Sequence, residues 1–306
     1  MTLNPTIAAM LEKGKALPAW STLTVQAVRA TDPARYALGV PPDPVGGIED
    51  RVIPGPEGDL PIRIFRPEGD GPRPVVVFFH GGGFCICSVE THTAICRQIC
   101  RRSGAIIVSV DYRQAPEHPF PAGPDDCEAA TRWVLAHAAD LGGDPARVSV
   151  CGDSSGGAMA AVVARRLRDA GGPALHAQVL MYPVTDHYSR RHAAWDRVGT
   201  GYGLTEATMR WFWDNYLDPG DADNPDASPL RADSVAGLPR TLIVTAAYDL
   251  LSDEAEAYAD RLRAAGVEVT CQRHNDLVHG FFNWVGLVDR STEAMDSLGD
   301  WMRRNL

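Results

Sequence analysis

The sequence predicts an α/β fold in which a mostly parallel β-sheet is covered by helices on both faces. Three observations support this prediction. Apolar, strand-like runs alternate with helical segments from residue 75 to the end of the chain, an order typical of parallel sheets. A Gly-x-Ser-x-Gly motif joins one of these strands to the helix that follows it. The 306 residues, of which 45% are hydrophobic and 22% charged, are sufficient to bury a large core.

The first 45 residues carry apolar side chains at helical spacing, interrupted by Pro18, and predict two short helices ahead of the main domain. A turn-rich stretch then separates two extended segments, which predicts a β-hairpin formed by residues 49–53 and 60–65. The alternation that follows predicts strands at residues 75–79, 105–110, 148–151, 177–182, 241–245 and 268–272. The predicted helices are residues 91–102, 125–138, 155–169, 252–265 and 292–305.

Residues 187–225 interrupt the alternation and divide the main domain into residues 46–186 and 226–306. Within the interruption, Thr205 and Glu206 predict the start of a helix that is rich in aromatic side chains. Two interpretations remain open for these aromatics. They belong to the core, or they form a cap with residues 1–45 that gives a ligand site an apolar wall.

Charge and composition exclude several classes of partner. The formal net charge of −10, without any long run of Lys or Arg, argues against nucleic acid. The longest purely apolar run, residues 158–164, is too short to insert across a membrane. No signal peptide is evident at the N-terminus, so we expect a cytoplasmic protein. The seven cysteines show no metal-binding spacing, and we expect reduced packing residues and no metal. The sequence leaves open whether the chain forms a homodimer.

The Gly-x-Ser-x-Gly motif predicts a nucleophile. An apolar strand at residues 148–151 runs into Gly152-Asp-Ser-Ser-Gly156 and then into an alanine-rich helical segment. This strand–turn–helix context holds the central serine in a strained turn with its hydroxyl exposed at the edge of the sheet, so Ser154 is the candidate nucleophile. The alternative, for the motif in isolation, is an ordinary glycine turn.

A second glycine-rich loop predicts an oxyanion hole. His80-Gly-Gly-Gly83 follows the strand at residues 75–79, and consecutive glycines leave backbone N–H groups free to converge on one atom. Such donors stabilise the negative charge that develops on an attacked carbonyl oxygen. We expect the N–H groups of Gly81, Gly82 and Ser155 to provide them.

The general base and the acid that orients it should follow the nucleophile in the order acid, then histidine. Asp249 lies just after the strand at residues 241–245 and is preferred to Asp253, whose place in the first turn of a helix is also explained by the helix dipole. His274 and His279 are the histidines that come later in the chain. We choose His279, because a loop long enough to return to the site precedes it, and interpret His274 as a solvated loop residue.

The sequence resembles the hormone-sensitive-lipase-like carboxylesterases of the α/β-hydrolase fold over about residues 45–305. Seven motifs in sequence order carry the resemblance: His80-Gly-Gly-Gly-Phe84, Tyr112-Arg-Gln-Ala-Pro-Glu-His-Pro-Phe-Pro-Ala122, Gly152-Asp-Ser-Ser-Gly-Gly157, Tyr182-Pro-Val-Thr-Asp186, Ser228-Pro-Leu-Arg231, Tyr248-Asp249 and His279-Gly-Phe281. The resemblance implies an eight-stranded sheet with a helical cap, no cofactor, and hydrolysis of short-to-medium acyl esters.

The chain departs from the family pattern around two predicted site residues. Ser155 stands where the family often has alanine, but only its N–H group is needed for the oxyanion hole. Leu250 and Ser252 replace the proline and arginine commonly found near the acid.

The predicted reaction is acyl transfer from a small-molecule ester to Ser154 and then to water, with His279 as base and Asp249 orienting it. We expect four aromatic side chains to contact the substrate: Phe84, Trp211, Phe212 and Phe281. Two alternatives are a non-catalytic small-molecule receptor on the same fold, and an acyltransferase or amidase that uses the same triad. The presence of His279 in its motif argues against a receptor.

Overall fold

A single eight-stranded sheet forms the centre of the computed structural model, which describes residues 2–31 and 40–306. The order of the strands across the sheet is β1-β2-β4-β3-β5-β6-β7-β8. Their bounds are β1 Gly47–Gly55, β2 Gly58–Arg66, β3 Arg73–Phe79, β4 Ile106–Val110, β5 Gly143–Asp153, β6 Ala177–Met181, β7 Arg240–Tyr248 and β8 Val269–Val278.

The sheet is mostly parallel. Strands β1 and β2 form an antiparallel hairpin, and β2 pairs antiparallel with β4. Every pairing from β4 through β3, β5, β6 and β7 to β8 is parallel. The predicted fold class is therefore confirmed, together with the predicted hairpin. Because the parallel strands run in one direction, their carboxyl ends meet at one edge, where ligands of such sheets bind.

Helices cover both faces of the sheet. In the described residues they are α1 Pro5–Gly14, α2 Val25–Arg29, α3 Thr93–Ser103, α4 Ala122–His137, α5 Ser155–Asp169, α6 Ala193–Val198, α7 Glu206–Tyr216, α8 Ser252–Ala264 and α9 Asp289–Asn305. Side chains alternate along β3, so Val75 and Val77 belong to the same core layer as α4, α5 and α8, whereas Val76 and Phe78 belong to the layer that includes α3 and α9. The core therefore consists of two layers, one on each side of the sheet.

Several element bounds differ from those predicted. Strand β8 continues to Val278, beyond its predicted end at residue 272. The prediction ended too early because residues 272–276 are polar and lie on an edge strand, so they give no hydrophobic pattern that predicts a strand. Near the N-terminus, residues Trp20–Thr22 form a 3₁₀ turn, and the helix that follows is only Val25–Arg29, capped by the Thr24 hydroxyl. Of the predicted N-terminal segment 1–45, residues 1 and 32–39 lie outside the described residues. In residues 2–31 and 40–306, no helix combines the length and apolar character needed to span a membrane.

Candidate active site

Ser154 lies at a strained turn between β5 and α5. Its backbone φ of 55° and ψ of −119° are unfavourable for a residue with a side chain, which is the geometry of a nucleophile elbow. The turn needs glycine on both sides. A Cβ atom at Gly152 would lie 2.1 Å from the Gly156 carbonyl oxygen, and one at Gly156 would lie 2.0 Å from the Phe79 carbonyl oxygen.

A continuous chain of hydrogen bonds joins Ser154, His279 and Asp249. The Ser154 Oγ atom is 2.9 Å from His279 Nε2, and His279 Nδ1 is 2.7 Å from Asp249 Oδ2. Asp249 is 2% exposed, and its other oxygen accepts the Leu251 N–H at 2.9 Å, which fixes the carboxylate. Each of the three side chains follows the carboxyl end of a parallel strand, β5, β7 or β8, so the sheet itself brings them together.

The two residues rejected for these roles lie elsewhere. Asp253 Oδ1 accepts a hydrogen bond from the Arg197 guanidinium at 2.9 Å. His274 was interpreted as a solvated loop residue, and that interpretation is wrong. It lies within β8, is partly buried, and packs against the ring of Phe281 at a centroid distance of 5.3 Å. Burial lowers its pKa, as does the positive charge of Arg290.

The glycine loop is positioned differently from the prediction at Gly81. Its N–H donates to Asp153 Oδ1 at 2.8 Å, so this group is not free for an oxyanion, and the prediction for Gly81 is wrong. Gly82 and Gly83 line the cavity beside Ser154. Among the described residues, no acceptor is found for either of their N–H groups. Ser155 is the first residue of α5, where the N–H has no acceptor within the helix.

Steric constraints explain why the loop is made of glycines. Gly82 has φ 120°, and a Cβ atom there would lie 2.1 Å from the Ile86 carbonyl oxygen. Gly83 has φ 57°, and a Cβ atom would lie 2.2 Å from the ring of Phe212. The ring of a cap-helix residue thus packs directly on the backbone of the loop.

A buried histidine holds the same loop from the other side. His80 Nδ1 lies 2.7 Å from the Gly81 carbonyl oxygen, and the imidazole stacks on Tyr112 with 4.4 Å between the ring centroids. Burial, together with the charge of the neighbouring His92, lowers the pKa of His80 to about 3. His80 is therefore neutral, and its Nδ1–H donates to the carbonyl oxygen. Since the C=O and N–H of a trans peptide point in opposite directions, this bond also sets the direction of the Gly82 N–H.

An apolar cavity of about 650 Å³ opens in front of Ser154 and His279. Its walls come from the N-terminal segment, the glycine loop, the cap helix α7 and the segment after β8. Of the four aromatics predicted to contact substrate, Phe212 lines this cavity. The other apolar lining residues are Met10, Leu11, Leu17, Pro18, Ala19, Trp20, Ile86, Leu204, Met209 and Trp284.

The other three aromatics do not line the cavity, so the predictions for Phe84, Trp211 and Phe281 are wrong. Phe84 is buried and stacks on Tyr216 of α7 with 4.0 Å between centroids. Trp211 packs against Phe212, but it is one position away on the helix and therefore faces a different direction. Phe281 is fully buried and turns into the core.

The structure also places in the cavity residues that the sequence analysis missed. Thr208 and Met209 share a face of α7 with Phe212, and Trp20 meets Phe212 edge-on at 5.9 Å. The helical spacing of residues 208, 209 and 212 is a signal that could have identified this face. Each interpretation of the aromatic helix is therefore correct for some of its side chains. Phe212 lines the cavity, whereas Trp213 and Tyr216 belong to the core.

Most of the cysteine thiols lie in the core. Six of the seven cysteines are buried, and none of the seven, all of which lie in the described part of the chain, forms a disulfide. Burial raises the pKa of Cys85 and Cys100 to about 12, which keeps these thiols protonated and unreactive. Across residues 2–31 and 40–306, no group of three or more His, Cys, Asp or Glu side chains is arranged to hold a metal ion.

Comparison with known proteins identifies the family. The sequence profile described as alpha/beta hydrolase fold matches residues 76–283, more than half of the chain. The carboxylic ester hydrolase LipN of Mycobacterium tuberculosis is 42% identical over 266 residues, which cover 85% of this chain and 70% of that protein. The ethyl acetate hydrolase of Pseudomonas putida is 32% identical, and the match covers 100% of both chains. The structure of a hyperthermophilic esterase from Pyrobaculum calidifontis has a TM-score of 0.94 and 37% identity, covering 99% of each chain.

The fold and the sequence profile define the chain as a member of the α/β-hydrolase fold family. Within that fold, it belongs to the hormone-sensitive-lipase-like carboxylesterases, as the resemblance of its motifs predicted. It is therefore a carboxylic ester hydrolase.

Proposed function

We propose that the chain is a serine carboxylesterase that hydrolyses short-to-medium acyl esters through an acyl-enzyme intermediate on Ser154. One observation carries the proposal, namely the hydrogen-bonded chain Ser154–His279–Asp249 at the floor of an apolar cavity. A serine hydroxyl is a weak nucleophile unless an adjacent base removes its proton, and a carboxylate that holds the base in one tautomer completes this arrangement.

In the first half-reaction, Ser154 Oγ attacks the ester carbonyl carbon while His279 Nε2 takes the hydroxyl proton. The negative charge that forms on the carbonyl oxygen is stabilised by the N–H groups of Gly82, Gly83 and Ser155. Gly83 here replaces Gly81, whose N–H is engaged by Asp153. The tetrahedral intermediate then collapses, the C–O bond to the alcohol breaks, and His279 returns the proton to the departing oxygen.

In the second half-reaction, water attacks the acyl-enzyme. His279 takes a proton from the water as its oxygen bonds to the acyl carbon, and the same three N–H groups stabilise the second oxyanion. Collapse of this intermediate releases the carboxylic acid and restores the Ser154 hydroxyl with the proton held by His279. Asp249 stays ionised throughout and stabilises the imidazolium that forms in each half.

Matched substrates test the reaction type. We expect the purified chain to hydrolyse p-nitrophenyl butyrate much faster than the corresponding anilide, with free acid remaining the main product when a short alcohol is added. Faster anilide cleavage would indicate an amidase, and transfer to the alcohol as the main reaction would indicate an acyltransferase. Tight binding of esters without turnover would indicate a receptor. Each of these three results contradicts the proposal.

Acyl-chain length is the first property expected to follow from the cavity. Its volume of about 650 Å³ is within the range typical of small-ligand sites, and Trp20, Met209 and Phe212 close its apolar wall. We therefore expect kcat/KM for p-nitrophenyl butyrate and hexanoate to exceed that for the palmitate ester. The measurement is a series of esters at concentrations below their aggregation limits. A higher kcat/KM on palmitate would contradict this expectation.

Acidification should lower the activity. His279 must be neutral to accept the Ser154 proton, and protonation of its Nε2 atom removes that capacity. We expect kcat/KM on a short ester to fall as the solution is acidified. Aliquots returned to neutral pH should recover full activity, which separates titration from unfolding. A profile that stays flat far into the acid range would contradict the assignment of a histidine base.

A further inference from the structure

A second histidine–carboxylate pair lies beside the nucleophile and has no part in the triad. His92 Nε2 is 3.4 Å from Asp153 Oδ1, and the two residues are 1% and 3% exposed. Both border the same cavity as Ser154. Asp153 is the residue just before the nucleophile, at the end of β5. His92 directly precedes α3, which covers the opposite face of the sheet from α5.

Asp153 connects this pair to the oxyanion loop. The oxygen that faces His92 also accepts the Gly81 N–H at 2.8 Å. On the next peptide of the loop, His80 holds the Gly81 carbonyl oxygen at 2.7 Å. These two bonds fix two successive peptides of the loop, His80–Gly81 and Gly81–Gly82, and the second of these carries the Gly82 N–H. The carboxylate therefore holds the loop in place, and it also brings a buried negative charge close to the oxyanion hole.

The hydrogen bonds of His92 suit a cation. Its Nε2 atom faces the carboxylate of Asp153, and its Nδ1 atom is 2.9 Å from the Thr91 hydroxyl oxygen. The Thr91 hydroxyl in turn has the Ser88 carbonyl oxygen as an acceptor at 2.9 Å. Both ring nitrogens of a doubly protonated His92 thus find an oxygen acceptor, which satisfies a buried imidazolium.

We propose that His92 is a positioning residue whose imidazolium neutralises the Asp153 carboxylate, so that this carboxylate can hold the oxyanion loop without opposing the charge that forms in the oxyanion hole. The inference rests on the proposed function, because it assigns a role relative to that oxyanion.

The electrostatics of the neighbourhood support this arrangement. Burial alone would raise the pKa of Asp153, but the charge of His92, its hydrogen bond and the Gly81 N–H together lower it. The carboxylate is therefore ionised. Without a cation beside it, a buried carboxylate raises the energy of a second negative charge nearby, because charges are weakly screened in the interior. The ground state carries no second charge, so the effect should fall on kcat and leave KM nearly unchanged.

A double-mutant cycle tests this role. We expect His92→Gln to lower kcat on a short ester by about 10- to 100-fold, with KM changed by less than about 3-fold. Asp153→Asn keeps an oxygen for the Gly81 N–H and removes the charge, so we expect a loss of less than about 10-fold. The double variant His92→Gln/Asp153→Asn should have a higher kcat than His92→Gln alone, since no unpaired carboxylate remains.

Asp126→Asn provides a matched control. Asp126 is also a buried carboxylate, and it accepts hydrogen bonds from the backbone N–H and from the guanidinium group of Arg113. Unlike Asp153, it does not line the cavity. We expect this variant to be less stable while its folded fraction retains kcat within about 3-fold. Thermal unfolding of every variant, with kcat corrected for the folded fraction, separates positioning from a loss of stability.

The charge on His92 has a spectroscopic readout that needs no active variant. In a long-range ¹H–¹⁵N spectrum of the wild-type chain at neutral pH, both ring nitrogens of His92 should show the shifts of an imidazolium. The signal is assigned by its absence from the double variant.

A neutral imidazole signal would overturn the proposal, as would an unchanged kcat in His92→Gln or a double variant slower than both single variants. Failure of the proposed function would look different, because Ser154→Ala would then retain wild-type activity.

Discussion

Substitution of Ser154 by alanine should lower kcat/KM on p-nitrophenyl butyrate by about 10⁵-fold or more. The variant keeps the backbone of the elbow and the cavity, but no atom remains to attack the carbonyl and receive the acyl group. The residual rate would come from binding and from the oxyanion donors acting on water. Initial rates of hydrolysis, measured with enough protein to quantify such a slow reaction, give the ratio.

Ser149→Ala is a matched control for this substitution. Ser149 lies on β5, the strand that leads to Ser154, and is fully buried, but it does not line the cavity. Among the described residues, no hydrogen-bond partner is found for its hydroxyl. We expect kcat/KM of Ser149→Ala within about 3-fold of the wild-type value. Near-wild-type activity of Ser154→Ala, together with an intact fold, would exclude Ser154 as the nucleophile.

The second large effect is expected for Asp249→Asn, which should lower kcat by about 10⁴-fold. An amide group donates a hydrogen bond to His279 Nδ1 where the carboxylate accepts one. The imidazole then carries its proton on Nε2, which faces Ser154 Oγ, and it cannot act as the base. The measurement is kcat on the same ester over a range of pH.

Asp253→Asn distinguishes the two acids that the sequence offered. Asp253, in the first turn of α8, forms a partly exposed ion pair with Arg197 of α6 and does not contact His279. Exposed pairs of this type contribute little, so kcat of Asp253→Asn should remain within about 3-fold of wild type. The opposite pattern, in which Asp253→Asn is inactive and Asp249→Asn is active, would show that the acid was assigned incorrectly.

Much of the fold could be predicted because apolar runs identify buried parallel strands directly. Strands β3 and β4 are buried on both faces, and their predicted bounds agree with the structure within two residues. The helix predicted at residues 155–169 has the same bounds in the structure, since the elbow determines where it begins. At the edge of the sheet this information is lost, because the exposed strand β8 includes polar residues and continues past the predicted end at residue 272.

The candidate site could be predicted where position along the sheet was sufficient. Ser154, Asp249 and His279 each follow a parallel strand, so strand order alone brings them to one edge of the sheet. Their relative distances could not be predicted in this way. In the structure, two hydrogen bonds of 2.9 and 2.7 Å join the three side chains.

The errors concern orientation rather than location. Gly81 lies in the predicted loop, but the direction of its N–H depends on Asp153, which is 72 residues away in the sequence. Phe84 and Phe281 are adjacent to site motifs, yet their rings pack against Tyr216 and Tyr182 in the core. A sequence pattern specifies which residues are near a site, whereas tertiary packing decides which way each of them points.

The cap is where substrate preference should reside. Phe212 packs on the backbone of Gly83 and also meets Trp20 from the N-terminal segment. One aromatic side chain thus connects the cap helix α7, the oxyanion loop and the N-terminal wall of the cavity. Substitutions on this face of α7 should therefore change the acyl-chain preference and the catalytic rate together.

The most direct test of the central claim is covalent labelling with a fluorophosphonate, followed by mass spectrometry of the digested chain. Fluorophosphonates react with a serine that an adjacent base activates, and the phosphorus centre takes the place of the attacked carbonyl carbon. We predict one phosphonyl adduct per chain, located at Ser154, that forms in parallel with the loss of esterase activity. An adduct at any other residue that accompanies this loss, or full labelling with activity retained, would contradict the claim that Ser154 is the nucleophile.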